Sequence, residues 1–201
     1  MESDRYRTIA VASEPVLFKD KNSKFYGYAF PVETEEAVKT HLENLKKEHH
    51  NARHWCYAYQ IGAETISYRA NDDGEPNNSA GMPIYGQIQS FELTNILVVV
   101  VRYFGGTKLG VSGLINAYRS SAQMALETCE IITKTIDVIF SIQFDYINMN
   151  KVMRIIKEKN LHVVGQHMAL DCKIRISVRK NESDTIFNLF SNLFGVTIKA
   201  V

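Results

Sequence analysis

Several signatures of known protein chemistry are missing from this 201-residue sequence. Its three cysteines are widely spaced and form no C-x-x-C pair, which argues against a disulfide framework and a structural zinc site. Its glycine-rich segment has neither the Gly-Lys-Ser/Thr of a nucleotide P-loop nor the G-x-G-x-x-G spacing of a dinucleotide fold. It contains no Gly-x-Ser-x-Gly and no His-Glu-x-x-His motif. The sequence therefore predicts no set of catalytic residues, no resident metal and no cofactor.

The sequence also has no long apolar run, and its longest apolar segment is too short to cross a bilayer. The N-terminal residues carry mixed charge, with no apolar signal-peptide segment behind them. With 45% hydrophobic and 22% charged residues, the composition is typical of a folded protein with one large core or two small ones. We therefore expect a cytoplasmic protein with no membrane partner; the oligomeric state is left open.

The net charge of +1 is unevenly distributed along the chain. Residues 1–130 hold 13 basic and 16 acidic residues, a net charge of −3. Residues 131–201 hold 10 basic and 6 acidic residues, a net charge of +4. Because positive charge attracts polyanions, the C-terminal part is the candidate surface for a polyanionic partner.

The most informative segment is a β-branched apolar run over 96–101 that leads into a glycine-rich loop and then into a helix. Glycines let the backbone turn its N–H groups toward a ligand, and a helix N-terminus adds the positive end of its dipole. This order predicts a site for a phosphate or carboxylate. The alternative is that the glycines serve tight turns and close packing with no ligand. The candidate anion-binding residues are Arg102, Gly105, Gly106, Lys108, Gly110 and Gly113.

The first part of the chain mixes helices and strands, with no internal repeat and no Pro/Gly/Ser linker. Apolar residues spaced three or four apart predict an amphipathic helix after Thr34, which is a candidate N-cap. A strand over 93–101 and a helix from about Gly113 to Thr128 flank the glycine-rich loop. We therefore predict a mixed α and β domain over residues 1–130. Further elements are expected at 8–31, 53–61, 64–70 and 81–90.

From residue 131 onward the pattern is strand, helix, strand, strand, helix, strand. The first strand is expected to run from Ile131 to about Phe144, and Asp171 is expected to connect the two middle strands, 161–170 and 172–178. This βαββαβ order is the signature of a ferredoxin-like domain, which we predict over residues 131–201.

One middle strand of this domain alternates between apolar and polar residues, with Lys173, Arg175 and Arg179 on its polar side. A ferredoxin-like sheet has helices on one side only, so the basic side should be open, joined by Ser141, Gln143 and Lys199 of neighbouring strands. We predict that Lys173, Arg175 and Arg179 contact nucleic acid through its phosphates. Stacking on bases is not supported, because the strand aromatics Phe140 and Phe144 fall on the apolar phase. The alternative is an ordinary solvated face.

The loop 71–80 concentrates three carboxylates, Asp72, Asp73 and Glu75, between regular elements. Asp72 and Asp73 would bind a hard cation or pair with Arg102, although turn building is the alternative and the spacing does not match an EF-hand. His54 and Cys56 would share one face of a strand, where the histidine would lower the thiol pKa. The alternative for this pair is a buried thiol beside a hydrogen-bonded histidine.

Three motifs in this order resemble the IMPACT family, in particular its bacterial YigZ-type members, and the resemblance covers nearly the whole chain. The motifs are HWCYAY at 54–59, NDDGEP at 71–76 with AGMP at 80–83, and RYFGGTKLG at 102–110 with GLINAY at 113–118. The resemblance implies an α+β fold of two α/β-sandwich domains. The N-terminal domain would resemble domain 2 of ribosomal protein S5, and the C-terminal one the ferredoxin-like late domains of elongation factor G.

The resemblance also implies a link to translation, since eukaryotic members are tied to translational control through a kinase-activating partner and carry a further N-terminal domain. Two positive charges usual in the family are replaced here by Met82 and Asn116. If those charges contact phosphate in relatives, Arg102, Lys108 and Arg119 would be left to do so here.

Taken together, these features predict a non-catalytic binding protein whose partner is RNA or a ribosome-associated protein. Two alternatives stay open. One is an enzyme acting on a small anionic, phosphate-bearing substrate at the glycine-rich loop, with Asp72, Asp73 or Glu75 as metal ligands or bases. The other is a regulator that binds protein.

Overall fold

The computed structural model describes residues 4–169 and 171–201. Contacts divide these residues into two units, an N-terminal unit of residues 6–134 and a C-terminal unit of residues 4–5 and 135–201. The domain boundary at 130/131 stays a proposal. No helix in the described part of the chain is both long and apolar enough to span a membrane.

The N-terminal unit is built around a five-stranded antiparallel sheet of order β2-β3-β6-β4-β5, with three helices. A separate pair of short strands, β1 and β7, begins and ends this part of the chain. The elements are β1 Arg5–Ile9, β2 Val16–Asp20, β3 Ser23–Pro31, α1 Glu35–Glu48, β4 His54–Ile61, β5 Ser67–Asn71, α2 Gly81–Ser90, β6 Ile96–Tyr103, α3 Gly110–Glu127 and β7 Ile131–Thr135.

The central strand β6 is covered on both faces, as its continuous apolar run predicts. Val98 and Val100 enter a core that also contains side chains of α2 and α3. Leu97, Val99 and Val101 enter a second core with side chains of α1. The sheet therefore lies between α1 on one face and α2 with α3 on the other.

The predicted cap of α1 is confirmed, because the Thr34 hydroxyl accepts a hydrogen bond from the Ala37 N–H at 3.2 Å. The predicted start of α3 near Gly113 is wrong by three residues. Helix α3 begins at Gly110, so Gly113 lies in its first turn. Leu114 and Ala117, which follow Gly113, lie on the buried side of α3. The helix therefore continues through this glycine in its first turn.

The C-terminal unit has a four-stranded antiparallel sheet of order β11-β8-β10-β9, which confirms the ferredoxin-like prediction. Both α4 and α5 pack on the apolar face, where Val152, Ile156, Ile186 and Phe190 meet the strand residues. The elements are β8 Asp137–Asp145, α4 Met149–Glu158, β9 His162–His167, β10 Asp171–Arg179, α5 Ser183–Ser191 and β11 Val196–Ala200.

Three details of the C-terminal prediction are corrected. The strand predicted from Ile131 to Phe144 is interrupted after Thr135, giving β7 and β8. Asp171 does not connect the two middle strands, because it is the first residue of β10 and pairs with Asp145 of β8. The predicted middle strand 161–170 is β9, which ends at His167; its predicted last residue, Leu170, lies outside the described residues.

Candidate functional site

The acidic loop, residues 71–80, is folded by the carboxylate of Asp72. Its Oδ1 accepts hydrogen bonds from the N–H groups of Ala80 and Gly81, at 2.9 and 2.8 Å, and its Oδ2 accepts one from Asn78 at 2.9 Å. These N–H groups open helix α2, where a negative charge is favourable. Asp72 therefore builds the loop and starts the helix, as in the turn-building alternative.

Asp73 attaches the same loop to strand β4. Its Oδ2 accepts a hydrogen bond from the Trp55 N–H at 2.8 Å. The Asp73 carbonyl accepts one from His54 Nδ1 at 2.9 Å, so Nδ1 carries a proton. Neither aspartate pairs with Arg102, so that expectation is wrong.

Glu75 is the carboxylate that meets Arg102. Arg102 Nη1 donates to Glu75 Oε1 at 2.5 Å, and the Tyr118 hydroxyl donates to the same oxygen at 2.8 Å. The side chains of Glu75 and Arg102 are only 5% and 6% exposed. We call Glu75, Arg102 and Tyr118 the Glu75 cluster; it joins the acidic loop, the central strand and helix α3.

The Arg102 guanidinium also lies between two aromatic rings, 5.4 Å from the centre of Phe25 and 5.6 Å from that of Phe104. Its Nε is buried and has no hydrogen-bond partner among the described residues. A guanidinium placed between rings and bonded to a buried carboxylate is held in one position. Arg102 therefore fixes the start of the glycine-rich loop that follows it.

Cys56 lies beside this cluster and is fully buried. Its thiol donates to the Asp72 carbonyl at 2.9 Å, and burial raises the pKa of the Cys56 thiol far above its ordinary value. Burial also raises the pKa of Tyr118. A protonated, hydrogen-bonded thiol is a poor nucleophile. The buried-thiol alternative is therefore correct for Cys56. Cys172 is also buried, and Cys129 is half-buried.

A cleft of about 370 Å³ opens between the glycine-rich loop and the first turn of α3. It brings together three of the six candidate anion-binding residues, Arg102, Lys108 and Gly110. No side chain of the described residues caps the helix here. The cleft is lined by Glu75, Pro76, Arg102, Phe104, Lys108, Leu109, Gly110, Val111 and Leu114.

The glycines of this loop divide into two kinds. A Cβ on Gly105 would lie 2.0 Å from the backbone carbon of Asn22, and the Gly105 N–H is already bonded to Ser23 Oγ at 3.1 Å. Gly106 has a positive φ of 87°, and an added Cβ would meet no described atom within 4 Å. Gly105 is therefore needed for packing, while the space next to Gly106 is open.

The open face of the C-terminal sheet places basic and polar residues in two rows that cross all four strands. One row is Gly165, Arg175, Ser141 and Lys199, and the next is His167, Lys173, Gln143 and Thr197. Lys173, Arg175 and Lys199 are all exposed. We call these three residues and their two rows the basic face. The predicted alignment of Ser141, Gln143 and Lys199 with the basic strand is confirmed.

Arg179 does not belong to the basic face. Its Nε and Nη2 bond both carboxylate oxygens of Asp4, the Nη2–Oδ1 distance being 2.8 Å. This contact lowers the pKa of the Asp4 carboxyl. Its Nε and Nη2 hold the N-terminal segment, so Arg179 has a structural role, and its phosphate contact stays a prediction.

A groove of about 700 Å³ begins at one end of the basic face, where the strand ends meet. Lys173, Gln143, Thr197 and His167 are among its lining residues, together with Asp145 and Asp171. The alternation of residues within the strands does not reveal this groove. The signal was present in the loops, as aromatic residues directly after β8 and before β11.

Metal binding by the acidic loop receives no support from its geometry. Three of the four Asp72 and Asp73 carboxylate oxygens accept backbone N–H groups, and Glu75 Oε1 is shared by two donors. Over residues 4–169 and 171–201, no group of three or more His, Cys, Asp or Glu side chains is arranged to hold a metal ion.

Comparisons with known proteins give a consistent result. The family model described as the Impact N-terminal domain matches residues 21–126. The chain is 31% identical to the IMPACT family member YvyE of Bacillus subtilis over 94% of this chain and 86% of that protein. It is 35% identical to the IMPACT family member YigZ of Escherichia coli over 69% of each. A crystal structure described as that of a hypothetical protein covers 98% of both chains with a TM-score of 0.74; at 24% identity it shows a shared fold only.

Proposed function

Since this chain belongs to the IMPACT family, we propose that it is a non-catalytic cytoplasmic protein that binds RNA, free or within a ribosome-associated assembly. The C-terminal basic face supplies the main RNA contact, and the N-terminal cleft is a second surface that binds phosphate. Translation is the setting that the family resemblance implies.

The observation that carries this proposal is the alignment of cations on the open side of a sheet. Lys173 and Arg175 are two residues apart on β10, about 7 Å along the strand. Lys199 lies two strands from Arg175, about 10 Å across the sheet. Between them, Gln143 supplies an exposed hydrogen-bonding group, whereas Ser141 is buried. An exposed field of charge with polar groups in its gaps suits the regularly spaced phosphates of a nucleic acid.

The enzyme alternative is not favoured by the geometry. The carboxylates it would use are bonded to the loop backbone, to Arg102 and to Tyr118. A general base needs a free oxygen within reach of a substrate, and four of the six carboxylate oxygens here already accept hydrogen bonds within the fold.

The first prediction tests the basic face. Replacing Lys173, Arg175 and Lys199 together by glutamine removes about three phosphate contacts. For a single strand, the slope of log affinity against log salt should become less steep by about 2. Fluorescence anisotropy with a labelled mixed-sequence RNA decamer at several salt concentrations measures this slope.

The matched control removes the same charge from the helix side of the same unit. Lys151, Lys157 and Lys159 are exposed on or just after α4. Their triple glutamine variant should keep the wild-type slope. If the wild type does not bind RNA at low salt, or if both triple variants have the same slope, the proposed function is wrong.

The second prediction tests the N-terminal cleft. Arg102 is paired with Glu75, so Lys108 supplies the net positive charge beside the uncapped start of α3. Inorganic phosphate at ten times its dissociation constant should stabilise the N-terminal unit by about 1.4 kcal/mol, and Lys108→Ala should remove this gain. Fluorescence of Trp55, the single tryptophan, follows unfolding of this unit.

The control for this measurement is Lys39→Ala, since Lys39 is exposed on α1 at the opposite face of the sheet. Sodium chloride at equal ionic strength separates binding from general salt effects. Equal phosphate and chloride responses in the wild type would show that the cleft does not bind phosphate and that its glycines serve packing.

A further inference from the structure

The C-terminal unit exposes three large apolar side chains in two neighbouring connections, the short 3-10 helix Tyr146–Asn148 after β8 and the loop before β11. Tyr146, Ile147 and Phe194 are 69%, 90% and 95% exposed. Tyr146 and Ile147 follow strand β8, and Phe194 precedes β11. Since β11 pairs antiparallel with β8, both loops lie at the same end of the sheet. We call Tyr146, Ile147 and Phe194 the exposed apolar group.

The two loops are held close together by a specific contact. Asn148 is buried, and its Nδ2 donates to the Gly195 carbonyl at 3.5 Å. A Cβ on Gly195 would lie 2.7 Å from this Nδ2, and Gly195 has a φ of 76°, so glycine is required at this position. The fold therefore fixes the backbone that presents Phe194 beside Tyr146, although these side chains contribute little to the core.

The same loops border the groove at the end of the basic face. Asp145 and Gly195, the chain neighbours of Tyr146 and Phe194, line the groove together with Lys173, Gln143 and Thr197. A partner protein with an apolar docking segment would be expected to meet an apolar groove. Here the groove lining is mixed, because the polar or basic Lys173, His167, Gln143 and Thr197 and the acidic Asp145 and Asp171 stand beside the apolar Phe144, Ala169 and Cys172. Exposed rings close to the cations of the basic face are an arrangement that binds single-stranded nucleic acid.

We propose that Tyr146 and Phe194 stack on unpaired bases of a single-stranded RNA whose phosphates lie over Lys173, Arg175 and Lys199. This inference rests on the proposed function and adds the strand state of the RNA and the orientation of its bases. Asp145 and Asp171 face each other at the groove end and repel phosphate. The backbone therefore lies over the basic face, and the bases lie toward the loops, where carboxylates accept hydrogen bonds from base amino groups.

The test measures the affinity of four variants for the labelled RNA decamer at one salt concentration. Phe194→Ala should weaken binding at least about fivefold, because stacking on an aromatic ring contributes strongly for each base. Phe194→Leu should weaken it to a similar extent, since it keeps an apolar side chain but has no ring. Tyr146→Phe should bind as tightly as the wild type, whereas Tyr146→Ala should lose affinity like Phe194→Ala.

A decamer of the same length with abasic sugars separates stacking from other effects. It keeps every phosphate and has no base, so Phe194→Ala should bind it as tightly as the wild type does. The salt slope should also be unchanged in Phe194→Ala, in contrast to the basic-face variant. Melting temperatures equal to that of the wild type are expected, because the ring of Phe194 is 95% exposed.

The outcomes separate this inference from the proposed function. A wild type that does not bind the decamer overturns both. The wild type could bind with a slope that depends on the basic face while Phe194→Ala and Tyr146→Ala keep full affinity. In that case the stacking inference is wrong, and a protein partner becomes the explanation for the exposed side chains. A loss of the same size on the abasic decamer, or recovery of affinity in Phe194→Leu, also overturns stacking.

Discussion

Replacing Glu75 with alanine is expected to lower the free energy of unfolding of the N-terminal unit by about 3 to 5 kcal/mol. The substitution leaves the Arg102 guanidinium buried without its carboxylate. Arg102 Nε already has no partner in the described structure. The Tyr118 hydroxyl loses its acceptor as well, and a buried donor without a partner adds to the cost.

Urea unfolding followed by Trp55 fluorescence measures this loss. Glu33→Ala is the matched control, because Glu33 pairs with Lys134 at 3.8 Å while its side chain is 71% exposed. An exposed pair contributes about 0 to 1 kcal/mol. A loss below about 1 kcal/mol in Glu75→Ala would contradict the structural role of the cluster.

A double-mutant cycle distinguishes a broken pair from a damaged loop. Adding Arg102→Met to Glu75→Ala removes the uncompensated charge, so the double variant should be more stable than Glu75→Ala alone. If the double variant loses the sum of the two single losses, the two side chains act independently and the cluster is not a unit.

The sequence was most informative where one local pattern determines the structure. The alternation from Cys172 to Arg179 predicted both faces of β10, because side chains of a strand point to opposite sides. The apolar run ending at Val101 predicted a strand buried on both faces. In both places the nearest residues along the chain contain the whole signal.

The roles of individual charges depended on partners distant in the chain. Arg102 pairs with a carboxylate 27 residues away, and Arg179 pairs with one 175 residues away. Composition showed that the acidic loop held three carboxylates, but the folded loop decides which of them meet backbone N–H groups and which meets Arg102. For the same reason, the sequence alone does not indicate a role for the exposed ring of Phe194, because the groove beside it forms only in the folded unit.

The second large loss of stability is expected from substitution in the glycine-rich loop. Its adjacent glycines, Gly105 and Gly106, are needed for different physical reasons. A Cβ on Gly105 would lie 2.0 Å from the Asn22 carbon and 2.2 Å from the Ser23 nitrogen. Both atoms are backbone, so no side-chain rotation relieves the overlap. Gly105→Ala is therefore expected to destabilise the N-terminal unit by about 3 kcal/mol, at the upper end of the usual cost of overpacking.

Gly106→Ala is the matched control in the next residue. Its added Cβ meets open space among the described residues, and only the positive φ of 87° is unfavourable for alanine. That conformation costs about 1 to 2 kcal/mol. Gly105→Ala should thus unfold at a clearly lower urea concentration than Gly106→Ala, with Trp55 fluorescence as the readout. Equal losses would show that the turn at Asn22 and Ser23 yields to the new methyl group, and that close packing is not what requires glycine at position 105.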